Sequence, residues 1–221
     1  MRIFVKTLLF LGLSTFAAIP QARAADAMPI GFATETQGSV LVERKIACDA
    51  PVPCGSPQPL NSGDPIFLND LILTDEGDHA EIEFVDKTTI AQNGAEGKLS
   101  IDEYVYDPEN PAENKARYNV LRASFKYVSG LIAKENNDVE IGLDFGSIGI
   151  RGTTIYRSMK DEECWIYLEE GKIQVKNKAG YVTLNPDDGT RLRSKSLAPL
   201  PAKPWSAEKI AWIKSEVAKP E

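Results

Sequence analysis

A chain of 221 residues with 25 Lys and Arg against 32 Asp and Glu carries a net charge of −7, which excludes a surface built for nucleic acid, where clustered basic charge is needed. One histidine in the whole chain leaves every histidine-dependent catalytic scheme resting on His79. The length suits one sizeable core or two small ones, and one main domain is expected.

In chain order, Arg2 and Lys6 precede an uncharged run of Leu, Phe, Ala and Gly from Thr7 to Ile19, the pattern of a secretory signal. Ala22 and Ala24 supply the small residues before a cut, so cleavage after Ala24 is expected, with residues 1–24 removed. The run is shorter than the roughly 20 residues of a membrane span. No later segment is long and apolar enough, and no cysteine follows the cut to carry a lipid. The mature chain then has 22 basic and 32 acidic residues, a net charge of −10, and is expected to be free of the membrane.

Cys48 and Cys54 bracket a short proline-stiffened loop, and an exported chain meets an oxidising compartment, so a disulfide between them is expected. A metal site is not, since His79 has no second cysteine pair to join. Cys164 shares a strand face with Ile166 and Leu168 and reads as a buried free thiol.

Period-two alternation runs through the rest. Ala80, Ile82 and Phe84 face one way while His79, Glu81 and Glu83 face the other, which makes His79 a solvated surface residue. Val139, Ile141, Leu143 and Phe145 repeat the pattern. Further strands are expected at 39–43, 71–74, 99–101, 124–128, 153–157, 164–168, 172–176 and 181–184. Corners are expected at Gly38, Gly63-Asp64, Gly77-Asp78, Gly130, Gly171, Gly180 and Asp188-Gly189. The acidic clusters 161–163, 169–170 and 187–188 read as solvated turns.

Two stretches break the rhythm. Residues 106–118, with Asp107, Pro108, Asn110 and Pro111 at their centre, read as a long surface loop between two halves of the β-domain. Pro199, Pro201 and Pro204 make a stiff linker into a terminal helix, which Ser206 can cap and Trp205 can staple onto Ile210. Its stripe of Ile210, Ile213 and Val217, with Trp212 beside it, is expected to pack back on the domain, with docking to a partner as the alternative. Residues 25–195 thus form the β-domain and 196–221 the linker and amphipathic helix. No nucleophile–base pair, phosphate loop or calcium loop is present, so no catalytic residue and no cofactor are assigned.

The segment Ser147–Thr154 stands apart. Gly149 and Gly152 flank Ile150-Arg151 closely enough to require a corner or a close backbone approach. Arg151 either fixes that corner through its hydrogen bonds or offers them to an anion, and the structural role is preferred.

These residues, Gly149-Ile150-Arg151-Gly152-Thr153 with Ile148 before them, resemble the hallmark motif of the FecR domain family, named for a bacterial iron-dicitrate signalling regulator. Gly38-Ser39-Val40, Pro59–Asp64, Asp70–Thr74, Ala80–Thr88, Phe125–Ile132 and Gly171–Val175 follow the family's order, from about Gly38 to Leu192. Lys87 departs from it, standing where the family usually has glycine. The resemblance implies an all-β fold, sandwich-like or a short β-solenoid, in the bacterial envelope. It also implies the interaction role of regulators that relay a transporter's state to a cytoplasmic anti-sigma segment. This chain is expected to have neither membrane span nor such a segment and to act outside the cytoplasm, in the periplasm or secreted. The expected function is non-enzymatic: an envelope protein–protein interaction or signalling module that binds another envelope protein. The alternatives are a module for glycans or small anions, with Arg151 beside Tyr156 or Trp165, and an envelope scaffold.

Overall fold

The computed structural model describes residues 28–45, 54–135 and 138–220. Ala24 and Cys48 lie outside these residues, and with them the expected cleavage site and the Cys48–Cys54 pairing. The described chain is one curled sheet of sixteen strands with two short helices.

The path is easiest to follow as two halves joined by a long ribbon. One half holds β2 (Leu41–Glu43), β3 (Pro57–Pro59), β5 (Leu71–Thr74), β8 (Gly97–Val105), β9 (Lys115–Leu121) and β11 (Val139–Leu143), in the order β3-β2-β5-β8-β9-β11. The other holds β1 (Gly31–Gln37), β4 (Pro65–Ile66), β6 (His79–Phe84), β7 (Thr89–Asn93) and β10 (Ser124–Val128), in the order β10-β7-β6-β1-β4. The ribbon is β12 (Gly146–Lys160) and β13 (Glu163–Asn177), two fifteen-residue strands. The first part of β12 pairs with β11 through Gly146–Ile150, and the second part with β10 through Thr154–Arg157. One continuous strand therefore serves both halves. On the far side of β13 lie β14 (Gly180–Leu184) and β15 (Asp188–Leu192), and β15 pairs with β16 (Lys203–Pro204). The pair β9–β11 is parallel, and its crossover is made by β10 and α1 (Leu131–Glu135).

The halves close on one apolar core because alternate residues of each strand point to the same side. Phe84 of β6 packs on Tyr118 of β9 at 5.1 Å between ring centres, and Tyr118 reaches Tyr127 of β10 at 6.3 Å. This is the expected all-β class, with a curled half-barrel form and the expected short C-terminal helix, α2 (Ala207–Ser215).

Several expected boundaries differ, each for a physical reason. Gly171 is no corner: it sits inside β13 at φ +88° opposite a bulge in β12, so the expected strands 164–168 and 172–176 are one. Gly189 is no corner either; the turn is Asn185–Asp188 just before it, and Gly189 lies inside β15 where the Trp205 ring leaves no room for a Cβ. The expected loop 106–118 ends earlier, since Lys115–Leu121 forms β9 and buries Ala116 and Tyr118. It joins two neighbouring strands of one half rather than two halves. Glu169 is not at a turn but within β13. The Asp161-Glu162 turn is as expected, a two-residue hairpin connection with φ of 52° and 61°, the left-handed pair that suits strand twist.

Candidate functional site

The Ile148–Thr154 segment occupies the place where β12 passes from one half to the other. Ile148 and Ile150 are buried in the core, Thr153 is buried, and Arg151 is exposed. The pairing with β13 is interrupted between Arg151 and Thr154, where Gly152 takes φ +56°. A β-bulge bends its strand, and here Gly171 answers it on β13. A Cβ on Gly171 would run into the Gly152 carbonyl oxygen, so the close backbone approach expected at Gly152 is made with Gly171. A Cβ on Gly149 would meet nothing nearer than the Gln174 carbonyl oxygen at 3.9 Å. Thr153 donates its N–H to Ser129 Oγ at 2.7 Å and accepts the Ser129 N–H at 2.9 Å. The motif thereby anchors the Ser129-Gly130 turn ahead of α1.

Arg151 makes no hydrogen bond or ion pair to a described residue, so it does not tie the bend in the expected way. The buried arginine is Arg157, fully enclosed six residues further along β12. Its Nη1 donates to the Ala123 carbonyl, its Nη2 pairs with Asp144, and its Nε donates to Cys164 Sγ at 3.2 Å. Every side of the guanidinium fork is used, which a buried cation requires. Burial pushes the Cys164 thiol up, and the opposing Arg157 charge does not cancel that. Cys164 is the free, buried cysteine that the alternation indicates, and a thiol held protonated is a poor nucleophile.

A second polar cluster supports the motif from below. Asp86 is fully buried; its carboxylate accepts the Tyr104 hydroxyl at 2.9 Å, the Thr88 hydroxyl at 2.8 Å, and the N–H groups of Thr88 and Ile132 at 3.1 and 3.2 Å. Lys87, between Asp86 and Thr88, takes φ +69°. It therefore adopts the left-handed conformation that glycine would adopt more cheaply. Gly130 lies so close to Asp86 and Thr88 that a Cβ there would collide with their backbone.

His79 is buried, contrary to the expectation of a solvated residue. It lies on the strand face opposite Ala80, Ile82 and Phe84, as the alternation requires, and its partner Asn93 is bonded to the C-terminal segment. Its Nδ1 pairs with Asn93 Oδ1 at 2.5 Å, and Asn93 Nδ2 donates to the Ala218 carbonyl at 2.6 Å. Gln37 donates to the Pro220 carbonyl at 3.1 Å, and Lys219 pairs with Glu35.

Upstream of that contact, α2 packs on the outer face of the ribbon as expected. Ile213 and Val217 are buried against Tyr156, Tyr167 and Trp205, with Ile210, Trp165 and Trp212 around them. Trp205 stacks on Tyr167 at 5.7 Å, and Trp212 meets Trp165 edge-on at 5.5 Å. Trp212 is thus half-buried and already engaged. Ser206 stands at the N-cap with extended backbone, but its side chain makes no capping hydrogen bond. Lys214 pairs with Glu169, which also accepts the Tyr156 hydroxyl at 3.1 Å. Burial alone would raise Glu169, yet these two bonds outweigh it and hold the carboxyl below its ordinary value. Tyr167 is pushed up to about 12, by burial first and by its bond to Asp187 second.

The loop that carries Asp107, Pro108, Asn110 and Pro111 is exposed from 107 to 113 but not loose. Buried Asn114 accepts the Asp107 N–H at 2.6 Å and donates to the Asp107 carbonyl at 3.1 Å, while Asp107 Oδ1 accepts the Glu109 N–H at 2.8 Å. Residues 111–113 form a single 3-10 turn. Val105, at its base, is an exposed apolar residue.

Arg151, Tyr156 and Trp165 do not converge. Tyr156 lies beneath α2, and Trp165 pairs with Ser158 in register, seven residues from Arg151 along β12, roughly 20 Å of strand. Among the described residues no group of three or more His, Cys, Asp or Glu is placed to hold a metal ion. No helix among them is long and apolar enough to cross a membrane.

No protein-family model matches the sequence, and no curated protein matches it. Solved structures do. A crystal structure of a candidate anti-sigma factor from Parabacteroides distasonis superposes with a TM-score of 0.51 at 14% identity, over 64% of this chain and 62% of that one. A second crystal structure under the same description and from the same organism gives a TM-score of 0.49 at the same identity. The match spans less than two thirds of the length of those proteins, and at this identity what the first of them shares with this chain is the fold.

Proposed function

We propose that this chain is a non-enzymatic interaction module of the bacterial envelope, acting in the periplasm as a regulatory or signalling partner of another envelope protein. The observation that carries this reading is the fold it shares with the candidate anti-sigma factor at a TM-score of 0.51. The FecR-like Gly-Ile-Arg-Gly-Thr segment lies at the bend that joins the two halves and adds to that support. The chemistry-bearing groups also fit a scaffold: Arg157, Asp86, Cys164 and His79 are each buried and engaged by neighbouring residues.

The contact surface proposed is the 107–113 loop. Held by Asn114, it presents Pro108, Asn110 and Pro111 in one conformation, and a preorganised loop avoids the ordering cost of binding. A photo-crosslinking residue at Asn110 in the exported protein is expected to give a discrete adduct with one envelope protein, and the same residue at exposed Lys172 none. Absence of an Asn110 adduct, or equal adducts at both positions, would remove the proposal.

A further inference from the structure

The C-terminal segment does more than cover the ribbon: it completes a cleft of about 350 Å³ along its seam with β13 and β15. Trp165, Arg191, Lys203 and Lys209 line it, with Leu200 and Pro201 on its apolar side. The three cations come from three separate elements, β15, β16 and α2, and none of the residues lining the cleft is acidic. In a chain of net charge −7, such convergence is costly unless something offsets the repulsion.

Part of the offset is visible. The Arg191 guanidinium lies 4.7 Å from the centre of the Trp165 ring, and Lys209 Nζ lies 5.9 Å from the same centre, distances at which an indole attracts a cation. Arg191 Nη1 also donates to Glu163 at 2.8 Å. That accounts for one nitrogen of the fork; Nε and Nη2 make no hydrogen bond to a described residue. Only Lys87, Lys115, Lys176, Lys214 and Lys219 among the described lysines pair with a described acid, so the ammonium groups of Lys203 and Lys209, like those of the remaining lysines, are not neutralised by one. Two lysines and half a guanidinium fork therefore face one small space with unspent donors.

We propose that this seam binds a small phosphate-like oxyanion. A tetrahedral anion can accept from the Arg191 fork and from both ammonium groups at once, and charge-assisted bonds of this kind are the strong ones. The volume is at the low end for ligand sites, which suits a compact anion rather than a sugar chain. The indole face is occupied by cations and so is not free to stack on a sugar ring. Because Lys203 and Lys209 belong to the C-terminal segment and Arg191 to the sheet, a bound anion also clamps the segment in place.

The chain supplies its own reporter, since all three of its tryptophans, Trp165, Trp205 and Trp212, stand in this one cluster. The full exported chain is titrated with inorganic phosphate and with pyrophosphate at constant ionic strength set by chloride, following tryptophan emission and Tm. A saturable emission change with a rise in Tm is expected for both probes. The double variant K203A/K209A, which removes two of the three cations, is expected to weaken the response by about tenfold or more. A control variant, K178A/K195A, changes a separate lysine-lined cleft and is expected to respond as the parent does. The proposal is overturned if chloride alone gives the same response, if no saturation occurs, or if K203A/K209A responds as the parent while keeping the parent's Tm in chloride. Loss of the response in K178A/K195A instead would overturn the placement.

Discussion

At the scale of single residues, the informative groups are those whose burial conflicts with their chemistry. Asp70 is fully buried at the start of β5; its Oδ2 accepts the Phe67 N–H at 2.9 Å and lies 3.6 Å from Arg44 Nε, while Oδ1 has no hydrogen-bond partner among the described residues. Burial is the largest influence and raises the carboxyl from 3.8 to about 6, against the lowering effects of the Phe67 N–H and of Arg44. A group whose folded value exceeds its unfolded value favours the fold when protonated, so its contribution is complete below about pH 4 and is lost as pH rises through about 6. The span between the two values corresponds to about 3 kcal/mol. Urea unfolding at intervals from pH 4 to pH 7 is therefore expected to show falling stability, and Asp70→Asn to flatten that profile. A parent profile that is level or rises across this window would sink the assignment. Glu169 and Glu140, held below their ordinary values by lysine partners despite burial, act in the opposite sense and at lower pH, so the two effects occupy different windows. None of this was readable from sequence. In the sequence Asp70 marks only the opening of a strand, and local spacing singles out Arg151, the arginine between glycines, rather than Arg157. Which arginine is enclosed depends on Ala123, Asp144 and Cys164, which reach it from three other segments.

At the scale of elements, alternation was a good guide to which face a residue takes and a poor guide to where a strand stops. The strands 71–74 and 124–128 fall where the pattern places them, because each is bounded by turns of its own. The β12–β13 ribbon does not, since its glycines mark a bend rather than an end. Strand β15, with Gly189 as its second residue, escapes the pattern for the same reason: glycine there makes room for Trp205 rather than for a turn. The bend also separates two kinds of glycine. Gly171→Ala forces a Cβ at φ +88° into the Gly152 carbonyl, combining left-handed strain with a backbone clash, and is expected to cost about 3 kcal/mol. Gly149→Ala has open space and an ordinary backbone and is expected to change stability by less than about 0.5 kcal/mol. Denaturant midpoints for the two variants check the contrast, and equal losses would show that the motif's glycines are not distinguished by the bend.

At the scale of the whole molecule, the C-terminal segment acts as a strap that links parts of the sheet far apart in sequence. Its tryptophan and helix seal Tyr156 and Tyr167 on the ribbon, and its last residues reach β1 and β7, where they bond Asn93, the hydrogen-bond partner of buried His79. Amphipathic spacing in 206–217 makes the docking foreseeable, but not the bonds from Asn93 and Gln37 to the last residues, because backbone carbonyls of Ala218 and Pro220 carry no sequence signal. A chain ending at Pro204 would lose the buried side chains of Trp205, Ile213 and Val217 and expose two tyrosines. Each large apolar side chain contributes about 1.5–3 kcal/mol on burial, and the freed segment regains conformational entropy of about 1–2 kcal/mol per residue, so the net loss is a fraction of the gross burial. The shortened chain is expected to remain folded, since its main core is the separate cluster within the sheet, and to lose about 3 kcal/mol by denaturant unfolding. His79 is the sharper readout: in the full chain its ring is expected to react slowly with an imidazole-modifying reagent, and in the shortened chain at the rate of a free histidine. Slow reaction in both would mean that the sheet itself encloses His79, and the strap would then be a surface appendage rather than part of the fold.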